Sequence, residues 1–100
     1  MKESRYRESR VCRVLGNPVV YAMVQLLAER GPMAPSAIAK SVHRHVATTS
    51  YHLATLRTAD LVRYDRKGGH TRYWLKHPDE TELLLAALAA LVRSAGQMRE

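Results

Sequence analysis

The sequence predicts a mainly α-helical chain with one two-stranded β wing, an α+β fold class. Three observations predict it. Several segments repeat their apolar residues at helical spacing between clear start and stop signals. Two of them are separated by only about three residues. Further on, two alternating stretches flank the pair Gly68-Gly69, a hairpin signal. One hundred residues make one domain, 1–100.

The elements follow in order. In "ESRYRESRVCRVLG" (3–16), Val11, Val14 and Leu15 recur at helical spacing on an otherwise charged segment, and Gly16 ends it. "NPVVYAMVQLLAERG" (17–31) is the clearest helix. Asn17 is a good N-cap, Pro18 suits the first helical position and Gly31 suits the stop. Its apolar face is Val19, Val20, Met23, Leu26 and Leu27. "PMAP" (32–35) breaks the chain. A short helix over 36–42 turns Ile38 and Val42 inward. After "HRH" (43–45) a second helix covers 46–58, with Val46, Thr49, Leu53 and Leu56 inward. Residues 36–58 thus form a helix-turn-helix.

Over 61–76 the period changes to two. Val62 and Tyr64, then Thr71, Tyr73 and Leu75, alternate with polar residues around Lys67-Gly68-Gly69. Pro78 stops the second strand. A last helix covers 79–98, with Asp79, Glu80 and Glu82 at its positive end. Its apolar positions Leu83, Leu84, Leu85, Leu88, Leu91 and Val92 are too many for one stripe, so it has to be covered on two sides. A helix-turn-helix followed by a two-stranded wing is the winged-helix arrangement.

Charge narrows the partner. Sixteen Lys and Arg against nine Asp and Glu give +7 and a pI near 10.1. Residues 1–77 carry fourteen basic and five acidic side chains, a net of +9, and residues 78–100 carry a net of −2. A basic body of this size points to nucleic acid, an anionic surface or an acidic partner. The single cysteine, Cys12, excludes an intrachain disulfide and fits a reducing, cytoplasmic setting. "MKESRYRESR" lacks the apolar core of a signal peptide. The longest apolar run, "LLLAALAALV" (83–92), is about half of what spans a bilayer. Nothing supports an enzyme: there is no acid–base pair, nucleophile constellation or phosphate loop, and the paired glycines sit in a hairpin rather than between a strand and a helix.

Several pieces resemble one family. "LGNPVVYAMVQLLAERG", "SAIAKSV" and "TTSYHLATLRTADLVRYDRKGGHTRYWL" are similar to the ArsR/SmtB winged-helix repressors. The matching pieces are Leu15-Gly16-Asn17-Pro18, Ser50-x-His52-Leu53-x-x-Leu56-Arg57, Ala59-x-Leu61-Val62, and Arg66-x-Gly68 leading to Tyr73-x-Leu75. They span about residues 13–76, and their order and spacing together are more specific than any one of them. The resemblance implies a homodimeric repressor that binds double-stranded DNA. Its first and last helices (1–16 and 79–100) would dimerise, its second helix-turn-helix helix would enter the major groove, and the wing (61–76) would flank it.

The family's sensing sites do not transfer. "PMAPSAIA" holds no Cys, His or acidic ligand, residues 79–98 hold no His, and one cysteine cannot make an oxidant-sensing pair. His43 stands where members often place Gly, and Arg44 where they usually place a buried Leu.

On these grounds the DNA-reading residues are His45, Ala47, Thr48, Ser50, Tyr51, His52 and Thr55. Small hydroxyls at a helix N-terminus approach phosphates and base edges closely. The plainer reading is a solvated face, but a net of +6 over residues 40–76 favours DNA. Arg66, Lys67, His70 and Arg72 on the wing suit phosphate or minor-groove contact, and also keep a bare sheet edge from pairing with another. Arg57 either bonds nearby carbonyls, pairs with Asp60 or meets phosphate. Tyr73 and Trp74 are read as packing residues. For an effector, Cys12, His43, His45 and His77 are the candidate ligands of a non-standard metal site, with nickel or zinc as the metals they suit. Cys12 also has a bland reading, a small buried hydrophobe. A rival reading keeps the fold but makes it a protein-interaction module or a subunit of a heteromeric regulator, with DNA binding secondary.

Overall fold

A computed structural model describes residues 2–97. Its elements are α1 (Glu3–Leu15), α2 (Pro18–Arg30), α3 (Pro35–Val42), α4 (Val46–Thr58), β1 (Val62–Lys67), β2 (His70–Leu75) and α5 (Pro78–Gln97). Met1 and residues 98–100, which end the predicted dimerisation segments, lie outside the described residues.

The central helix is α2. The Asn17 side-chain oxygen accepts from the backbone N–H groups of Val19 and Val20 at 2.9 and 3.3 Å, a cap worth about 1 kcal/mol. Gly31 ends the helix at φ 74°. Val20, Met23, Val24 and Leu27 are all buried. The buried Val24 widens the predicted apolar face, because α2 is packed by α1 and α5 as well as by α3 and β2.

The turn of the helix-turn-helix is closed by backbone geometry. His43 adopts the left-handed conformation at φ 56°, its N–H donates to Lys40 O, and the N–H of Arg44 reaches back to Ala39 O at 3.0 Å. This is a Schellman motif. It explains the Gly that the resemblance leads one to expect at 43, and the Leu expected at 44, since the residue after the left-handed one usually packs back on the helix. Here Arg44 stays exposed, and its guanidinium donates to the carbonyls of Val42 and His43 at 3.4 and 3.0 Å. A charged donor therefore satisfies helix-end carbonyls where an apolar contact was expected.

Thr49, Leu53 and Leu56 of α4 are fully buried, as the spacing predicts. Val46 is not: it is 50% exposed. It is the first residue of the helix, and helical spacing alone placed it inward wrongly. The end of α4 repeats the Schellman geometry, with Asp60 left-handed at φ 65° and the N–H of Leu61 bonded to Leu56 O.

The wing is a two-stranded antiparallel sheet, with Val62 opposite Leu75 and Tyr64 opposite Tyr73. Lys67 belongs to β1, which leaves a two-residue turn. Gly68 and Gly69 have φ of 57° and 81°, the paired left-handed values of a type I′ turn that other residues meet only under strain. "PMAP" does more than break the chain. Met33 exchanges two backbone hydrogen bonds with Tyr73, at 2.9 and 2.8 Å, and so fastens the wing to the segment between α2 and α3.

Eleven buried apolar side chains from α1 to β2 form one core. Along α5, Leu83, Leu91 and Val92 remain 72, 66 and 70% exposed. A groove of about 640 Å³ runs between α1, α2 and α5, with Cys12, Tyr21, Leu84, Leu88 and Val92 among its walls.

Candidate nucleic-acid interface

The front of α4 is free. Ala47, Thr48, Ser50 and Tyr51 are exposed, and Tyr51 is 69% so. His52 and Thr55 are half-buried at the flank. The Tyr51 and His52 rings meet edge to face, 5.7 Å apart, on the helix surface. The Thr55 hydroxyl donates to Tyr51 O. Its hydrogen is therefore taken up by the helix itself. His45 occupies the N-cap position without a side-chain cap bond, and its ring is exposed. Six of the seven predicted reading residues lie within α4 and the seventh caps it, so all share one element.

The wing residues do not share one face. Residues opposite each other in the ladder point the same way, so Arg66 lies with Tyr64, Tyr73 and Thr71. Lys67, His70 and Arg72 lie on the other face, together with Arg63 and Asp65. All four predicted residues are exposed. Arg72 sits opposite Asp65, which offsets part of its charge. Lys67 and His70 flank the glycine turn itself, so the Lys67 charge stands at the tip.

Arg57 takes a role that the sequence reading did not include. Its guanidinium lies over the Tyr64 ring, 5.0 Å from the centroid, and Tyr64 stacks on Tyr73 at 5.2 Å. This stack links the last turn of α4 to both wing strands. Asp60 instead pairs with Lys76 and, at 3.5 Å, with His77. The Lys76 hydrogen bond holds the Asp60 carboxyl below its usual range; desolvation works against it, and the His77 contact adds a lesser lowering. The pairing also offsets an acidic group at the negative end of α4. The stack was hidden in the sequence because Tyr64 and Arg57 belong to different periodicities.

The candidate metal ligands stand apart. His43 and His45 are at the α3–α4 turn, His77 is beside Asp60 before α5, and Cys12 is exposed on α1. Among the described residues no three His, Cys, Asp or Glu side chains gather where one ion would reach them. Within this single chain, Cys12 is not the buried hydrophobe of the bland reading; it opens on the α1–α2–α5 groove.

A helix-turn-helix with a free second helix, braced by a basic two-stranded wing, defines a winged helix-turn-helix protein. A family model described as a helix-turn-helix domain matches residues 15–65, and the chain belongs to that family. Solved structures carry the same fold. Rv0081 of M. tuberculosis is 24% identical with a TM-score of 0.85, and the match covers 100% of both chains. A domain from Mycobacterium bovis is 25% identical with a TM-score of 0.77, covering 100% of this chain and 94% of that one. It is described as a homodimeric winged helix-turn-helix DNA-binding domain of a possible ArsR-family transcriptional regulator, the family the sequence resembles. NolR from Sinorhizobium fredii is 25% identical with a TM-score of 0.79, covering 89% and 87%. A comparison with curated proteins gives no match.

Proposed function

We propose that this chain is a sequence-specific DNA-binding transcriptional regulator, a homodimeric repressor acting in the cytoplasm on an inverted-repeat operator. The observation that carries the reading is the exposed front of α4, with Thr48, Ser50 and Tyr51 exposed and His52 at its flank, beside a wing whose tip carries Lys67. Leu53 and Leu56 anchor the helix from behind, so its polar front is held rigidly outward. Thr48, Ser50, Tyr51 and His52 supply base preference, and His45, Ala47 and Thr55 border the contact. Arg66, Lys67, His70 and Arg72 supply phosphate and minor-groove contact.

The dimer is supported by the apolar side chains that α5 leaves uncovered and by the homodimeric state of the M. bovis domain. Two copies joined through α1 and α5 present two α4 helices to half-sites about one helical turn apart, roughly 34–36 Å. Among the described residues no single helix is long and apolar enough to cross a membrane.

The test combines operator selection from a random DNA library with sedimentation of the free protein. A symmetric selected site and a dimer at low micromolar concentration are expected. Selection of no sequence, with a monomer or a complex of other stoichiometry, would reject the reading.

A further inference from the structure

The reading face of α4 does not end at α4. A groove of about 330 Å³ lies between α1 and α4, and its walls are Arg10, Arg13 and Val14 on one side and Tyr51, Thr55 and Thr58 on the other. Arg10 and Arg13 are three residues apart, hence on one side of α1, and both are exposed. Arg7, one turn before Arg10, continues the row. Among the described residues neither Arg10 nor Arg13 has an acidic partner within ion-pair distance, since the ion pairs there are those of Asp60. Two unpaired guanidinium groups therefore border the same surface as Tyr51 and Thr55. Val11 and Val14, beside them on the helix, are half-buried against the core and fix the rotation of α1.

We infer that Arg10 and Arg13 belong to the nucleic-acid interface as a phosphate clamp on the α1 side of the reading helix. The inference rests on the DNA-binding reading above and extends it to a second element. Its occupant is the DNA backbone. The groove is continuous with the base-reading face, it presents two charges of the right sign, and the planar guanidinium matches phosphate. In the proposed dimer α1 belongs to the seam and α4 faces it across this groove, which would set α1 on the dyad side of each α4. The clamps would then fall on phosphates between the two half-sites, and the wings outside them. The result is a contact at both edges of each reading helix.

The experiment measures operator affinity against salt for the wild type and for the Arg10→Gln/Arg13→Gln double variant. Each lost phosphate contact lowers the slope of log K against log salt by about 0.9, so four lost contacts per dimer lower it by roughly 3.6. Base preference stays unchanged, because these side chains meet phosphate only. A second arm keeps the protein intact and neutralises the DNA instead, with methylphosphonates placed between the half-sites. Affinity falls for the wild type, while the double variant does not respond. A steep wild-type slope that the double variant retains in full, or central methylphosphonates without effect on the wild type, overturns the clamp and leaves the DNA-binding reading standing. A wild type with no salt-dependent operator binding overturns both. Should the double variant fail to dimerise, the methylphosphonate arm with wild-type protein decides alone.

Discussion

His43 is held at φ 56°, where a side chain with a Cβ costs roughly 1–2 kcal/mol. Glycine escapes that cost but gains freedom in the unfolded chain, so His43→Gly should stabilise the protein by roughly 1 kcal/mol, read as a higher Tm. An unchanged or lower Tm would mean that the His43 ring contributes more than its backbone loses. Thr49 offers the complementary case. Its hydroxyl oxygen is fully buried and has no hydrogen-bond partner. Thr49→Val keeps the shape and removes the unsatisfied group, so stability should rise by about 1 kcal/mol in denaturant titration. Leu53→Ala, two positions from the reading residue Tyr51, should instead cost about 2–5 kcal/mol, because Leu53 is completely buried in the core. On the front of the helix, Tyr51→Ala should leave stability nearly unchanged, the half-buried His52→Ala should cost little more, and both should broaden the selected operator. A selected sequence identical to that of the wild type would put the reading face elsewhere.

The junction between α4 and the wing is where neighbouring elements depend on each other. Lys76 bonding to Asp60 lowers the carboxyl's pKa in the folded protein, so the contribution is present above the unfolded value near 3.8 and is lost as pH falls through the folded value. Asp60→Asn should therefore lower Tm slightly at neutral pH, where the contribution is present, and flatten the acid side of a Tm-against-pH curve, so that wild type and variant converge below about pH 4. Element boundaries were largely legible in the sequence. The Asn17 cap, the Gly31 stop and the Gly68-Gly69 turn each carry a local conformational requirement, and α4 spans 46–58 as its spacing implies. Local signals could not show Met33 bonding to Tyr73, because that bridge needs no periodicity and joins residues forty apart. Nor could they place Val46, whose spacing fits the inward set although it is 50% exposed. Spacing put the reading residues on one helix, but the split of the wing residues between two faces appears only in the strand register.

At the scale of the whole molecule, the unfinished part is the surface of α5. Leu83, Leu91 and Val92 would each bury well over half of their side-chain area on a partner. Burying an apolar side chain of this kind is worth about 1.5–3 kcal/mol. Leu91→Glu with Val92→Glu should thus convert the dimer to a folded monomer, seen by sedimentation together with an unchanged helical spectrum. Operator affinity should fall by orders of magnitude, since one α4 then binds without the other. A dimer that survives both substitutions would move the interface off this helix.

The wing tip has a different bearing. Gly68 and Gly69 carry no side chains, and Lys67 beside them offers a point charge rather than a matched donor and acceptor pair. A minor groove shows such a finger little beyond A·T against G·C, whereas its width varies strongly with sequence. If the wings meet the minor groove as proposed, the outer flanks of the operator would be recognised by their narrowness and not by individual letters. In a selected site, fixed bases should cluster beneath the two α4 helices, while the flanks show only A·T enrichment, tolerant of any order of A and T.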